Sequence, residues 1–267
     1  VNRRARTSGQ GRLSVEQLQG IRMMIRYALA LFALMVLVAP SVRAEQIIAA
    51  SYAEPVARYG HYALGRPHEY ARLVATTDTG REVVLELPME EVFEDLAPRL
   101  VQLADQAPAA LLVIVSSRDS GSRLALVGLD GSRLAIVAQS APIGMTNRWL
   151  NPVGVADLSG EGEAEIAAVT TPHIGGVLRV YRHSGERLVE IDSLSGFSNH
   201  VYGSPELDLS RPSMIDGRMQ LLVPDARRQI VRVIMLSDGE LVETDRCLFS
   251  EPITGPDALD ECERRLH

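Results

Sequence analysis

The sequence predicts an all-β fold, a β-propeller-like ring of about four to five four-stranded antiparallel blades. Three observations predict it. Shifted by 54 residues, segment 98–134 lies on 152–188 without a gap and with nine identities, among them Pro98/Pro152, Val115/Val169, Gly121/Gly175 and Leu134/Leu188. Chance would give about two or three. A shift of 53 lays 177–192 on 230–245 and matches Arg179/Arg232, Val180/Val233, Leu188/Leu241 and Asp192/Asp245, among others. A period near 50 with strand-like content belongs to propeller blades rather than helical arrays. The third observation is the recurring turn: Leu129-Asp-Gly-Ser132, His183-Ser-Gly-Glu186 and Ser237-Asp-Gly-Glu240 each place Gly where a tight hairpin needs positive φ. An open or incomplete ring and a β-sandwich are the alternatives.

Taken in order, residues 1–22 are basic and polar and read as a non-native N-terminal extension, with translation beginning at Met23 or Met24. Residues 23–44 read as a secretory signal peptide: Arg26 precedes an apolar run, Pro40 breaks it, and Val42-Arg43-Ala44 offers a cleavage site after Ala44. The run is short for a bilayer span, which takes about 20 apolar residues, so no stable membrane anchor is expected and the protein is placed in the periplasm or outside the cell. Residues 45–267 read as a single repeat domain with a short C-terminal tail. Positions 1–44 hold seven Arg and one Glu, leaving 33 acids against 20 bases after them. That balance argues against nucleic acid or anionic lipid as partner. Every base is arginine, as a GC-rich genome would give.

Tyr70–Thr76 and Arg81–Leu87 read as strands of the first blade. The clearest unit has strands at Val153–Asp157, Glu165–Thr171, Val177–Arg182 and Leu188–Ser193. Helix is expected at Met89–Leu96 and in the tail Pro256–Leu266, with Asp257 as its cap. Cys247 and Cys262 are the only cysteines. In an exported chain they predict a disulfide that clips the tail to the last strand.

The stretch Asp157-Leu-Ser-Gly-Glu-Gly-Glu-Ala-Glu165 sits between two apolar strands. Side-chain oxygens stand at positions 1, 3, 5 and 9, with Gly160 and Gly162 between them. It resembles the D-x-D-G-D-G-x-x-D calcium loop of the FG-GAP/VCBS repeats, although Ser stands third and Glu fifth and ninth. The resemblance covers 152–194 and, more weakly, 98–151 and 204–245. It implies a propeller of the integrin α head kind and one weak Ca²⁺ held by Asp157, Ser159, Glu161 and Glu165 with the Glu163 carbonyl. The other reading of the loop is an acidic turn that keeps the repeat's shape without metal. The corresponding loops Leu103–Leu111 and Asp208–Gln220 lack the ligand series.

Blade geometry sorts the loops onto two faces. The acidic loop shares one with the plain Gly turns. The opposite face collects Glu94, Asp95, Asn147, Arg148, Trp149, His173, Asn199, His200, Tyr202, Asp225 and Arg228 from crossovers and inner loops. His61 joins them if the first unit wraps next to the last. Loops on a rigid scaffold are where binding groups sit. The bland readings are that Trp149 seals a gap between blades and that the histidines are hydrogen-bonded structural residues. G-x-S-x-G, P-loop, dinucleotide and zinc motifs are all absent from the sequence. The resemblance implies a non-enzymatic exported protein that binds a protein or a glycan. The competing reading is a cell-envelope hydrolase acting on polysaccharide or phosphoester, with a carboxylate pair drawn from Glu90, Glu91, Glu94 and Asp95.

Overall fold

The computed structural model describes residues 14–16, 19–20, 23–24, 44–66 and 68–266. It divides into the units Val1–Ala44 and Glu45–His267. The apolar run of the expected signal peptide lies outside the described residues. No helix among the described residues is long and apolar enough to cross a membrane.

The second unit is all-β with one helix, and its strands follow one another in antiparallel groups. The first group is β1 (Ile47–Pro55), β2 (Tyr70–Thr77) and β3 (Glu82–Glu86), with β2 in the middle. The short β4 (Glu91–Phe93) bridges from it to β6. The second group is β5 (Arg99–Val101), β6 (Ala110–Ser117), β7 (Gly121–Asp130) and β8 (Arg133–Gln139). The third is β9 (Leu150–Ala156), β10 (Glu165–Thr170), β11 (Gly176–Ser184) and β12 (Arg187–Phe197). The fourth is β13 (Arg211–Ile215), β14 (Arg218–Pro224), β15 (Ile230–Ser237) and β16 (Glu240–Leu248). The first three groups form a continuous 12-stranded sheet and the last a separate four-stranded one. The join between β8 and β12 is a single parallel pair, Gln139 with Arg187.

Period-2 alternation lets each inner group bury both faces. Leu112, Ile114 and Leu124 of the second group pack with Ile166, Ala168 and Tyr181 of the third. Their neighbours Leu111, Val113, Val115 and Ala125 turn the other way, onto Leu73, Ala75 and Val83 of the first. Ala167, Val169, Leu178 and Val180 likewise leave the third group for Leu221, Val223 and Ile234 of the fourth. The far face of the fourth, Leu222, Val231 and Val233, is covered by the helix α1 (Asp257–Leu266) through Leu259 and Cys262. The Cys247–Cys262 disulfide fixes α1 to β16.

One irregularity recurs. The register slips between Leu126 and Val127 in β7, between Val180 and Tyr181 in β11, and between Val233 and Ile234 in β15. Each slip leaves one extra residue on the following strand (Val137, Ile191 and Thr244), a β-bulge that bends it.

Three expectations are corrected. Met89–Leu96 is not helical: Val92 and Phe93 are buried and pair with the edge of β6, so strand pairing overrides the local acidic pattern. Asp208–Gln220 is not one loop, because β13 lies within it. In α1 the helix-starting carbonyl is that of Pro256, which accepts from the N–H of Asp260. Asp257 therefore stands in the first turn and acts through the helix dipole rather than as the cap.

Candidate functional site

The expected recognition residues separate into a pocket and a supporting frame. His61, Asn147, Arg148, Trp149, Thr171, His173, Ile174 and Tyr202 line a cavity of about 400 Å³. Its walls are loops: 59–66 after β1, 141–148 before β9, 171–175 between β10 and β11, and 198–204 after β12. Sheet backbone anchors three of them, with Ser198 N–H donating to the Pro224 carbonyl at 3.0 Å. Ser122 N–H donates to the Arg148 carbonyl and Thr171 N–H to the Trp149 carbonyl, 2.9 and 2.8 Å. Gly121, at φ +72°, allows the 141–148 loop to press on the β6–β7 turn: a Cβ there would stand 2.2 Å from the Met145 carbonyl oxygen. Tyr62, Asn147 and Thr171 all hold positive φ without being glycine. For a β-branched residue such as Thr171 that is stored strain, a feature concentrated at functional sites.

His61 enters the pocket because the first group meets the 198–204 loop. Tyr202 O–H donates to the His61 carbonyl at 2.8 Å, and Gly203 N–H to the Ala63 carbonyl at 2.8 Å. Two buried carboxylates serve this one histidine. Glu69 accepts the backbone N–H groups of Tyr59, Gly60 and His61 at 3.2, 2.8 and 3.0 Å. Glu94 Oε1 lies 2.8 Å from His61 Nδ1, and its Oε2 accepts from Ser116 Oγ at 2.6 Å. Each carboxylate is only 1% exposed. Burial pushes the Glu94 carboxyl up from its ordinary value, while the contacts with His61 and Ser116 draw it down.

A second imidazole chain forms the opposite wall. His173 Nε2 is 2.8 Å from His200 Nδ1, and His200 Nε2 is 2.9 Å from the Ser204 carbonyl. A carbonyl only accepts, so His200 carries its proton on Nε2 and takes one from His173 on Nδ1. His173 therefore turns an unprotonated Nδ1 away from the relay. Burial, helped by His200, His61 and Arg228, lowers His173 to about 3. Burial, opposed by the Ser204 hydrogen bond, lowers His200 to about 4. Both rings are neutral at pH 7. Trp149, 1% exposed, lies parallel to His173 with centroids 6.1 Å apart and donates Nε1–H to the Glu94 carbonyl at 3.0 Å. It seals the floor, and only its edge reaches the cavity wall.

The remaining residues expected on this face are structural. Asp95 is fully buried against Arg99. The Asn199 side chain donates to the Asn151 carbonyl, and Asn151 returns a bond to the Asn199 carbonyl, both at 3.1 Å. Asp225 accepts the N–H groups of Gln229 and Ile230 and closes its own turn. Arg228 reaches Ser198 rather than the cavity. Tyr59, Glu69 and Ser116 went unforeseen. A compositional signal was present: residues 59–70 hold Tyr59, Tyr62 and Tyr70, three of the seven tyrosines, together with His61 and His68.

On the acidic loop, Asp157 accepts the N–H groups of Gly160, Glu161 and Gly162 at 2.8, 3.0 and 3.0 Å. Glu165, fully buried, accepts from Leu158 and Ser159 N–H and pairs with the Arg182 guanidinium at 2.7 Å. Arg182 also reaches Glu161 at 2.9 Å. These oxygens already have partners, and among the described residues no group of three or more His, Cys, Asp or Glu gathers as a metal set. The Ser159 hydroxyl is buried without a partner, and Glu163 bridges to Ala104. Asp157, Glu161 and Glu165 are thus engaged within the loop and its hairpin, while the Ser159 hydroxyl is not.

No family model matches the chain, and no curated protein resembles it significantly.

Proposed function

We propose that the chain is an exported, non-enzymatic binding protein of propeller-like architecture, recognising its ligand through the pocket between His61 and His173. The observation that carries this reading is the convergence of four loops from three strand groups on one cavity with strained backbone and fixed imidazoles. Five of the residues expected on the recognition face line it. The 54- and 53-residue offsets support tandem copies, because they carry β6 onto β10 and β11 onto β15, and the recurring bulge falls at equivalent places. The stacking of four groups face to face supports an arc of blades, with α1 standing where a closed ring would bring the first blade against the last. Export is supported by the Cys247–Cys262 bond, which suits an oxidising compartment.

The partner class is a protein or a glycan of the cell envelope. The test is capture from envelope extract by the wild-type chain and by Tyr202→Ala, which alters an exposed side chain. Loss of the captured species in the variant is expected; undiminished capture would move recognition to another face. The hydrolase reading draws on the Glu94–His61 pair and would need turnover that Glu94→Gln abolishes.

A further inference from the structure

We propose that this pocket takes one saccharide unit, accepting the protons of its hydroxyl groups on His61 Nε2 and His173 Nδ1. The inference rests on the recognition-face reading above and names the ligand's chemistry. The relay through His200 to the Ser204 carbonyl fixes the lone pair of His173 on Nδ1. His61 Nδ1 lies 2.8 Å from Glu94 Oε1; when the neutral ring donates its Nδ1–H there, the lone pair it presents is on Nε2. Neither Nε2 of His61 nor Nδ1 of His173 meets a hydrogen-bond partner among the described residues. The pocket thus presents two oriented acceptors, one held by the buried Glu94 and the other by a relay that ends at the Ser204 carbonyl.

That arrangement selects among ligands. A carboxylate or phosphate oxygen would face two lone pairs and be repelled. A purely apolar ligand would desolvate both imidazoles without replacing their hydrogen bonds. Hydroxyl groups donate to both. The rim supplies the other half of a sugar's surface: Tyr202 and Ile174 are each 58% exposed and offer apolar faces to ring C–H groups. Asn147 and Arg148 add polar arms at the mouth. The cavity of about 400 Å³ falls at the small end of ligand pockets, roughly 300–1,000 Å³.

The test is an oligosaccharide array containing neutral and uronic-acid glycans, probed with the full chain, with hits titrated calorimetrically. A hit is expected, with affinity falling at least tenfold in His61→Phe and His173→Phe and at least threefold in Tyr202→Ala. Met214→Ala, on exposed β13 surface, is expected to bind as wild type. Neutral glycans are the expected hits; binding confined to the uronic-acid glycans would overturn the two-acceptor reading of the pocket. An array without hits overturns the saccharide assignment, as does a hit bound equally by all three pocket variants. If no glycan binds while envelope capture is lost in Tyr202→Ala, the saccharide falls and the recognition face stands. If capture is also unchanged, both fall.

Discussion

At the scale of single residues, His61 and His173 occupy different electrostatic settings within one cavity. His61 leans on a carboxylate; His173 leans on a neutral ring that leans on a carbonyl. The consequence for stability has a definite sign. His173 and His200 are harder to protonate folded than unfolded, so their contribution is fully present above the ordinary value of 6.5. It is lost as pH falls toward the folded values of about 4 and 3, because the unfolded chain then binds more protons. Glu94 and Asp95, raised by burial, act in the opposite sense above their ordinary values. A difference measurement separates the two effects. Between pH 7 and pH 5 the urea midpoint of the wild type should fall by more than that of His173→Phe. Parallel shifts would show that this imidazole is not held neutral by the fold. His61 was legible in the sequence only as a condition, since nothing local says that a loop after the first strand meets one 141 residues later.

At the scale of elements, strand positions were legible because alternation and the Gly turns are local signals. The helix expected at 89–96 failed for the complementary reason: pairing with β6 is a tertiary effect, and Val92 and Phe93 alone do not announce it. The acidic loop shows the same limit. Its spacing indicated oxygen ligands, whereas the guanidinium that neutralises them comes from Arg182, in the following hairpin. Removing that cation leaves the buried Glu165 with only the N–H groups of Leu158 and Ser159. Arg182→Met, at a partly exposed partner, should therefore cost about 1–2 kcal/mol in chemical denaturation. Millimolar Ca²⁺ tests the calcium reading of Asp157, Ser159, Glu161, Glu163 and Glu165: a cation bound only by the folded state raises the wild-type melting temperature, and an unchanged value removes the reading.

At the scale of the whole molecule, the four groups form a stack with one end closed by α1. The helix of the tail and its clip to the last strand were readable, but not the face of the fourth group that it covers, because a local helix signal does not name the surface it packs on. The disulfide closes a 15-residue separation and in the chain-entropy model stabilises by about 3 kcal/mol. For a chain of this size that corresponds to roughly 6–12 °C in melting temperature. Cys247→Ser with Cys262→Ser should show that loss by calorimetry while leaving the pocket's ligand affinity intact, since neither cysteine lies near it. A drop below about 1 kcal/mol would mean that helix packing alone secures the end of the stack.

The kink shared by β7, β11 and β15 has a practical corollary. Because the slip falls at matching positions in the second, third and fourth groups, β8, β12 and β16 carry the same bend. An artificial array built by ligating copies of 150–197 end to end would carry its curvature within each copy, so modules could be added or removed without redesigning the strand register.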